Sequence, residues 1–270
     1  MSADSQHRIH RHPAASWAEL RISVDTLACY RAHAHAEYSI GVVERGQAHF
    51  HHPGGPNPVR PGSVVMIEPD VVHSCNPVRQ QAWSYRMLFV EADWLHQALA
   101  QLWSLPTPLT GLEFLSRCVD DPVVADQVRG LSEPLDSEAA ARALARQLPA
   151  WISNWARPGR AHDVERVPEA LVPAIENLRA RPEQKLTVRE LAALCKLSEA
   201  SFIRRFQGAF GMTPGRYLLN LRLNGARTLL SRGMPLAEAA HAMGFADQAH
   251  LHRSFKAHHA MTPGNYRLRP

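Results

Sequence analysis

The sequence predicts an α+β, multidomain chain: an N-terminal β-barrel or sandwich with trailing helices, then an all-α domain of two helix-turn-helix units joined by a linker helix. Three observations lead there. Between Tyr38 and about Val90, short apolar runs alternate with turn residues. Around Phe206 and Phe255, 49 residues apart, the chain repeats itself. The charge is also divided: residues 1–165 carry 14 Lys+Arg against 18 Asp+Glu, and residues 166–270 carry 16 against 7.

In the first region Val42-Val43, Ala48-His49-Phe50, Val64–Ile67 and Tyr85–Val90 read as strands, separated by Arg45-Gly46, the Pro/Gly run 53–58, Arg60-Pro61-Gly62 and Glu68-Pro69-Asp70. Helical spacing follows. Trp94, Leu95, Leu99, Leu102 and Trp103 form one stripe, and Leu144, Leu148, Trp151 and Trp155 form another between Glu138 and Trp155, interrupted by Pro149. The second stripe suits either domain core or a dimerisation helix. Residues 157–163 are rich in Pro, Gly and charge, which predicts an N-terminal domain over 1–156, a linker over 157–167 and an autonomous helical domain over 168–270.

In that last domain Pro168 or Pro173 opens the first helix, and Thr187-Val188-Arg189-Glu190 is a capping box for the second. Gly211, Gly233 and Gly244 fall where helices should stop. Ser198 and Asp247 begin equivalent helices, and the repeat runs from Phe202–Phe206 to Leu251–Phe255 and from Met212-Thr213-Pro214-Gly215 to Met261-Thr262-Pro263-Gly264. Pro214 to Ser231 reads as one continuous helix between the copies.

On the first of these helices Phe202 and Phe206 share a face, which leaves Ala200, Arg204 and Gln207 opposite, flanked by Ser201 and Ile203. On the second, Leu251 and Phe255 turn inward while Ala249, Arg253 and Lys256 turn outward, flanked by His250 and His252, with Gln248 in the first turn. A guanidinium can bind guanine O6 and N7 bidentately in the major groove, and glutamine can pair with adenine. Two such faces in a half of net charge +9 suit double-stranded DNA. A rigid helix between them predicts a bipartite site, its halves about 34 Å apart on the duplex.

From Val167 to Arg267 the chain closely resembles the AraC/XylS family of bacterial transcription regulators, above all in Ala239–Lys256 followed by Met261-Thr262-Pro263. The resemblance implies a transcription regulator, most simply an activator, with Ala200, Ile203 and Arg204 and then Gln248, Ala249, His252 and Arg253 as base-edge readers. Two positions depart from the pattern: Lys196 stands where many members have glycine, and Ala260 stands where Gly211 stands in the first copy. Each should strain a helix end. The N-terminal half resembles the cupin-like sensor domain of that family in His33-Ala34-His35, Gly41–Gly46, Arg60–Ser63 and Pro69–His73.

His33 and His35 share a strand face and His73 could join them, which would suit a metal. The ligand pattern of metal-binding cupins is incomplete, because Glu37 follows too early and Pro69-Asp70-Val71 lacks glycine. No cofactor is therefore expected. An organic effector near His33, His35, Tyr38, His73 and Tyr85 is favoured, with Trp83, Arg31 and Arg86 as further candidates. The alternative is a cupin metalloenzyme, an isomerase or dioxygenase, with a helical appendage.

Cys29, Cys75, Cys118 and Cys195 form no spaced framework, which argues for a reducing, cytoplasmic setting. Neither a signal peptide nor 18 consecutive apolar residues is present, so no membrane span is expected. The expected partners are DNA, a small-molecule effector, a second copy in a homodimer, and RNA polymerase.

Overall fold

A computed structural model describes residues 7–79, 81–159 and 167–267. The chain divides into two compact units, one of Met1–Cys29 with His35–Glu165, the other of Tyr30–Ala34 with Arg166–Pro270. Part of the expected linker, residues 160–166, lies outside the described residues.

The first unit is β-rich. Its main sheet is built from β1 (His7–His10), β2 (Ala18–Thr26), β3 (Glu37–Arg45), β6 (Ser63–Ile67), β8 (Trp83–Glu91) and β10 (Cys118–Asp120). Their order is β1-β2-β8-β3-β6-β10, and every neighbouring pair is antiparallel. A smaller sheet orders β4 (Ala48–His52) between β5 (Gly55–Val59) and β7 (Ser74–Pro77).

Because side chains alternate along a strand, register assigns the faces of the main sheet. Leu20, Ile22, Tyr38, Ile40, Val42, Val64, Met66, Leu88 and Val90 lie on one face and join the apolar core. Three helices cover it: α1 (Ala92–Leu102), α2 (Pro122–Leu131) and α3 (Glu138–Ile152), through Leu95, Leu99, Val124, Val128, Leu144 and Leu148. Leu144 and Leu148 of the second stripe thus belong to this core. Pro149 does not break α3, because it sits one turn from the end, where little helix remains to disrupt. The helix stops at Ile152, before the expected Trp155. Ala156–Pro158 (β11) instead pairs with Leu112–Phe114 (β9).

The second unit is helical. Pro173, the second of the two candidate prolines, sits in the first turn of α4 (Val172–Ala180). The capping box at α5 (Val188–Leu194) is closed by Glu190 Oε2, which accepts from Thr187 N at 2.7 Å, and by Thr187 Oγ1, which accepts from Glu190 N at 3.2 Å. Then come α6 (Glu199–Phe210), α7 (Pro214–Ser231), α8 (Leu236–Ala242), α9 (Gln248–His259) and the short α10 (Pro263–Tyr266). The single helix expected over 214–231 is α7. Thr213 caps it through Arg216 N.

The repeat offset of 49 holds for α6 and α9, capped by Ser198 and Asp247. It does not run through the turns. The left-handed residue after α5 is Lys196 and that after α8 is Gly244, 48 apart, so the second turn is one residue longer. Lys196 (φ +52°) and Ala260 (φ +58°) both occupy the left-handed region where their sequence context calls for glycine.

Candidate nucleic-acid interface

Helices α6 and α9 are held from below by aromatic packing. Phe202, Phe206, Leu251 and Phe255 are fully buried. Phe206 packs edge-on to Tyr217 at 5.4 Å between ring centroids, and Phe255 to Tyr266 at 5.6 Å, so each copy seats its helix on the tyrosine that follows its Thr-Pro-Gly turn. That packing rotates the other side of each helix outward.

Ala200, Arg204 and Gln207 of α6 are exposed, with Ser201 and Ile203 partly so. On α9 Gln248, Ala249, Arg253 and Lys256 are exposed and His252 is partly so. Both N-caps hold their first turn: Ser198 Oγ accepts from Ser201 N at 3.3 Å, and Asp247 Oδ1 accepts from His250 N at 2.6 Å. The structure therefore brings each expected set of side chains onto one outward face of its own helix. Each face has an arginine near its middle and a small residue at its start, and the major groove of B-DNA is wide enough to admit an α-helix.

The sensor candidates divide differently. Tyr38 and Tyr85 lie on opposite faces of the main sheet, since Tyr38 pairs with Val90 while Tyr85 pairs with Val43 and Ser23. Tyr38 belongs to the helix-covered core: its hydroxyl lies 2.9 Å from His96 Nε2 and accepts from Leu112 N at 2.9 Å. Burial pushes its phenol well above the ordinary range. Arg86, also on that side, pairs with Glu44 at 2.9 Å, and Arg31 is an exposed residue of the second unit.

The other face carries what remains. Tyr85 packs at a tilt against Trp83, 4.4 Å between ring centroids, and the buried indole N–H of Trp83 has no hydrogen-bond partner among the described residues. His35 meets His73 at 4.9 Å and Phe89 at 5.3 Å. The Nδ1 atoms of His35 and His73 lie 2.9 Å and 2.8 Å from the carbonyls of Glu37 and Val71, which places a proton on each Nδ1 and leaves each Nε2 an acceptor. Burial pushes His73 down to about 4, so it is neutral near pH 7. His33 belongs to the second unit, where its ring lies 5.1 Å from that of His258. Within the first unit His35 and His73 thus form one pair of neighbouring imidazoles.

One residue on this face was not singled out from the sequence. Arg21, 6 % exposed, pairs in register with Met87 on the same side as Ser23, Ser39 and Tyr85. The signal was present in the alternation Ala18-Glu19-Leu20-Arg21-Ile22-Ser23. A strand of that pattern reads as half-exposed, and only the assembled sheet buries its polar side.

Residues 16–151 match the family model of the AraC-like ligand binding domain, and residues 191–269 match a helix-turn-helix domain. The HTH-type transcriptional regulator YbfI of Bacillus subtilis is 25 % identical over 220 residues, covering 81 % of this chain and 80 % of that protein. The RCS-specific transcriptional activator RclR of Escherichia coli is 34 % identical over 96 residues, 35 % of this chain and 34 % of its own length. Among solved structures, an apo variant of ToxT from Vibrio cholerae aligns with a TM-score of 0.60 at 11 % identity, covering 93 % of this chain and 96 % of that one. That likeness is one of fold.

Proposed function

The chain belongs to the AraC family of transcriptional regulators, with an N-terminal ligand-binding domain and a C-terminal helix-turn-helix domain, and we propose that α6 and α9 read the two halves of a bipartite DNA site. The observation that carries this is the recurrence of an exposed arginine, Arg204 and Arg253, at one position of two equivalently capped helices. Each guanidinium binds a guanine, Gln248 pairs with adenine, and Ala200, Ile203 and Ala249 contact thymine methyls. Ser201, Gln207, His252 and Lys256 complete the two faces with contacts to neighbouring bases and phosphates.

The effector site in this reading is the polar face of the main sheet. Arg21, the Trp83 indole N–H, Tyr85 and the Nε2 atoms of His35 and His73 form its binding groups, and the cation together with the indole donor favours a small carboxylate carrying an apolar body. Tyr38, on the helix-covered face, has no part in it. The metalloenzyme alternative finds no support in the family matches. The same reading includes a homodimer that contacts RNA polymerase.

Selection of bound duplexes from a random pool tests the DNA half. A two-part consensus is expected, with affinity falling steeply as salt rises because phosphate neutralisation releases counterions. Recovery of unselected sequence would defeat it. A thermal-shift screen of carboxylic acids, repeated on Arg21→Gln, tests the sensor half.

A further inference from the structure

The linker helix α7 is not the only connection between the two helix-turn-helix units. Arg222, midway along α7, reaches the segment that joins α4 to α5. Its Nε donates to the carbonyl of Pro182 at 2.6 Å, and its Nη2 donates to those of Gln184 at 2.8 Å and Glu183 at 3.3 Å. One guanidinium therefore ties down three successive carbonyls ahead of the first helix-turn-helix.

The same segment also meets the turn of the second helix-turn-helix. At Gly244, φ is +68°, and a Cβ placed there would overlap the carbonyl oxygen of Glu183 and come within 2.8 Å of its carbonyl carbon. Backbone thus lies against backbone, an approach only glycine permits. Met243, the preceding residue, lays its thioether over Gly225 of α7, where an added Cβ would come within 2.7 Å of the sulfur. Linker helix, first-copy entry loop and second-copy turn converge around Glu183.

The mechanical consequence follows from connectivity. A single helix between two modules leaves each free to swing at its short end turns, here 211–213 and 232–235. A second, non-covalent tie closes a ring and removes that freedom. We propose that Arg222 is a positioning residue for DNA recognition: by clamping the 182–184 loop against the turn at Gly244, it sets the separation and rotational phase of α6 and α9, and so the spacing between half-sites that the protein accepts.

This rests on the bipartite reading above, and the experiment separates the two. A duplex selected with the wild-type protein is remade with one or two base pairs inserted between its half-sites. Each inserted pair shifts the second half-site by about 3.4 Å and turns it by about 35°. Wild type is expected to lose about tenfold or more in affinity per inserted pair, on the order of a lost base contact. Arg222→Gln is expected to bind the original duplex several-fold more weakly and to lose no more than about threefold on insertion, with unchanged base preference within each half. Arg222→Lys, which keeps the charge but not the fork, should fall between them. The ratio between spacings is internal to each variant, so a general loss of stability does not mimic the effect, and thermal melts of the lysine variant guard against a glutamine variant that fails to fold. Equal insertion penalties in wild type and both variants would overturn the role of Arg222 while leaving the bipartite reading intact. A wild-type protein indifferent to insertion would overturn both.

Discussion

The side-chain oxygen of Asn220 accepts two hydrogen bonds at once, from the backbone N–H of Ala34 at 3.1 Å and from Nε2 of His258 at 3.1 Å. One turn on, Asn224 Nδ2 donates to the carbonyl of Ala34 at 2.9 Å, so α7 holds both peptide groups of a residue nearly 190 positions earlier in the chain. Asn220 is 4 % exposed and His258 is 6 % exposed, so neither lost bond is easily replaced by water. Asn220→Ala should therefore destabilise the second unit by about 2–3 kcal/mol, and Asn224→Ala, at a partly exposed site, by about 1 kcal/mol. Urea denaturation of the full chain measures both; equal and small losses would show the Ala34 segment to be weakly held.

Arg204→Ala and Arg253→Ala should each cost about 1–3 kcal/mol on the selected duplex and much less on a scrambled one. Binding titrations on the two duplexes compare them. Matching losses on both would reassign these arginines to phosphate contact.

Lys196→Gly should stabilise the chain by about 1 kcal/mol, because an exposed lysine held at φ +52° carries left-handed strain that glycine does not. Differential scanning of the two proteins checks this. A lower melting point for the glycine variant would mean that the lysine side chain earns more than its backbone loses.

The pH dependence of the first unit should carry the mark of His73. Its folded-state value is pushed down to about 4 from 6.5, so between these limits the unfolded chain binds the extra proton. The associated stability is complete above pH 6.5 and is lost as pH falls toward 4, by up to about 3 kcal/mol. His73→Gln removes that component, so the difference in unfolding free energy between the two proteins should shrink across this window and stay level above it. A difference that holds constant from pH 7.5 to 4 would place His73 in a more hydrated setting.

Much of the helical unit was legible residue by residue. Ser198, Asp247 and Thr187 cap the helices they were expected to cap, because a capping side chain acts on backbone N–H groups two or three residues away and needs no tertiary information. The outward set Ala200, Arg204, Gln207 and its counterpart on α9 followed from helical period once Phe202, Phe206, Leu251 and Phe255 were recognised as the inward set. The strand unit was less legible. Tyr38 and Tyr85 both read as aromatic residues of strands, and which sheet face each occupies depends on register, a property of the partner strand.

Local periodicity, capping chemistry and the internal repeat determined from the sequence alone that this chain carries two equivalent helix-turn-helix units on a basic, helical half. Tertiary structure decided which polar residues became buried together. Arg21 and Trp83 share a face through the pairing of β2 with β8, His35 meets His73 from another part of the chain, and Tyr30–Ala34 joins the second unit where Asn220 and Asn224 of α7 offer partners for its backbone. Such pairings link residues far apart in the chain, where adjacent sequence bears no trace of the partner.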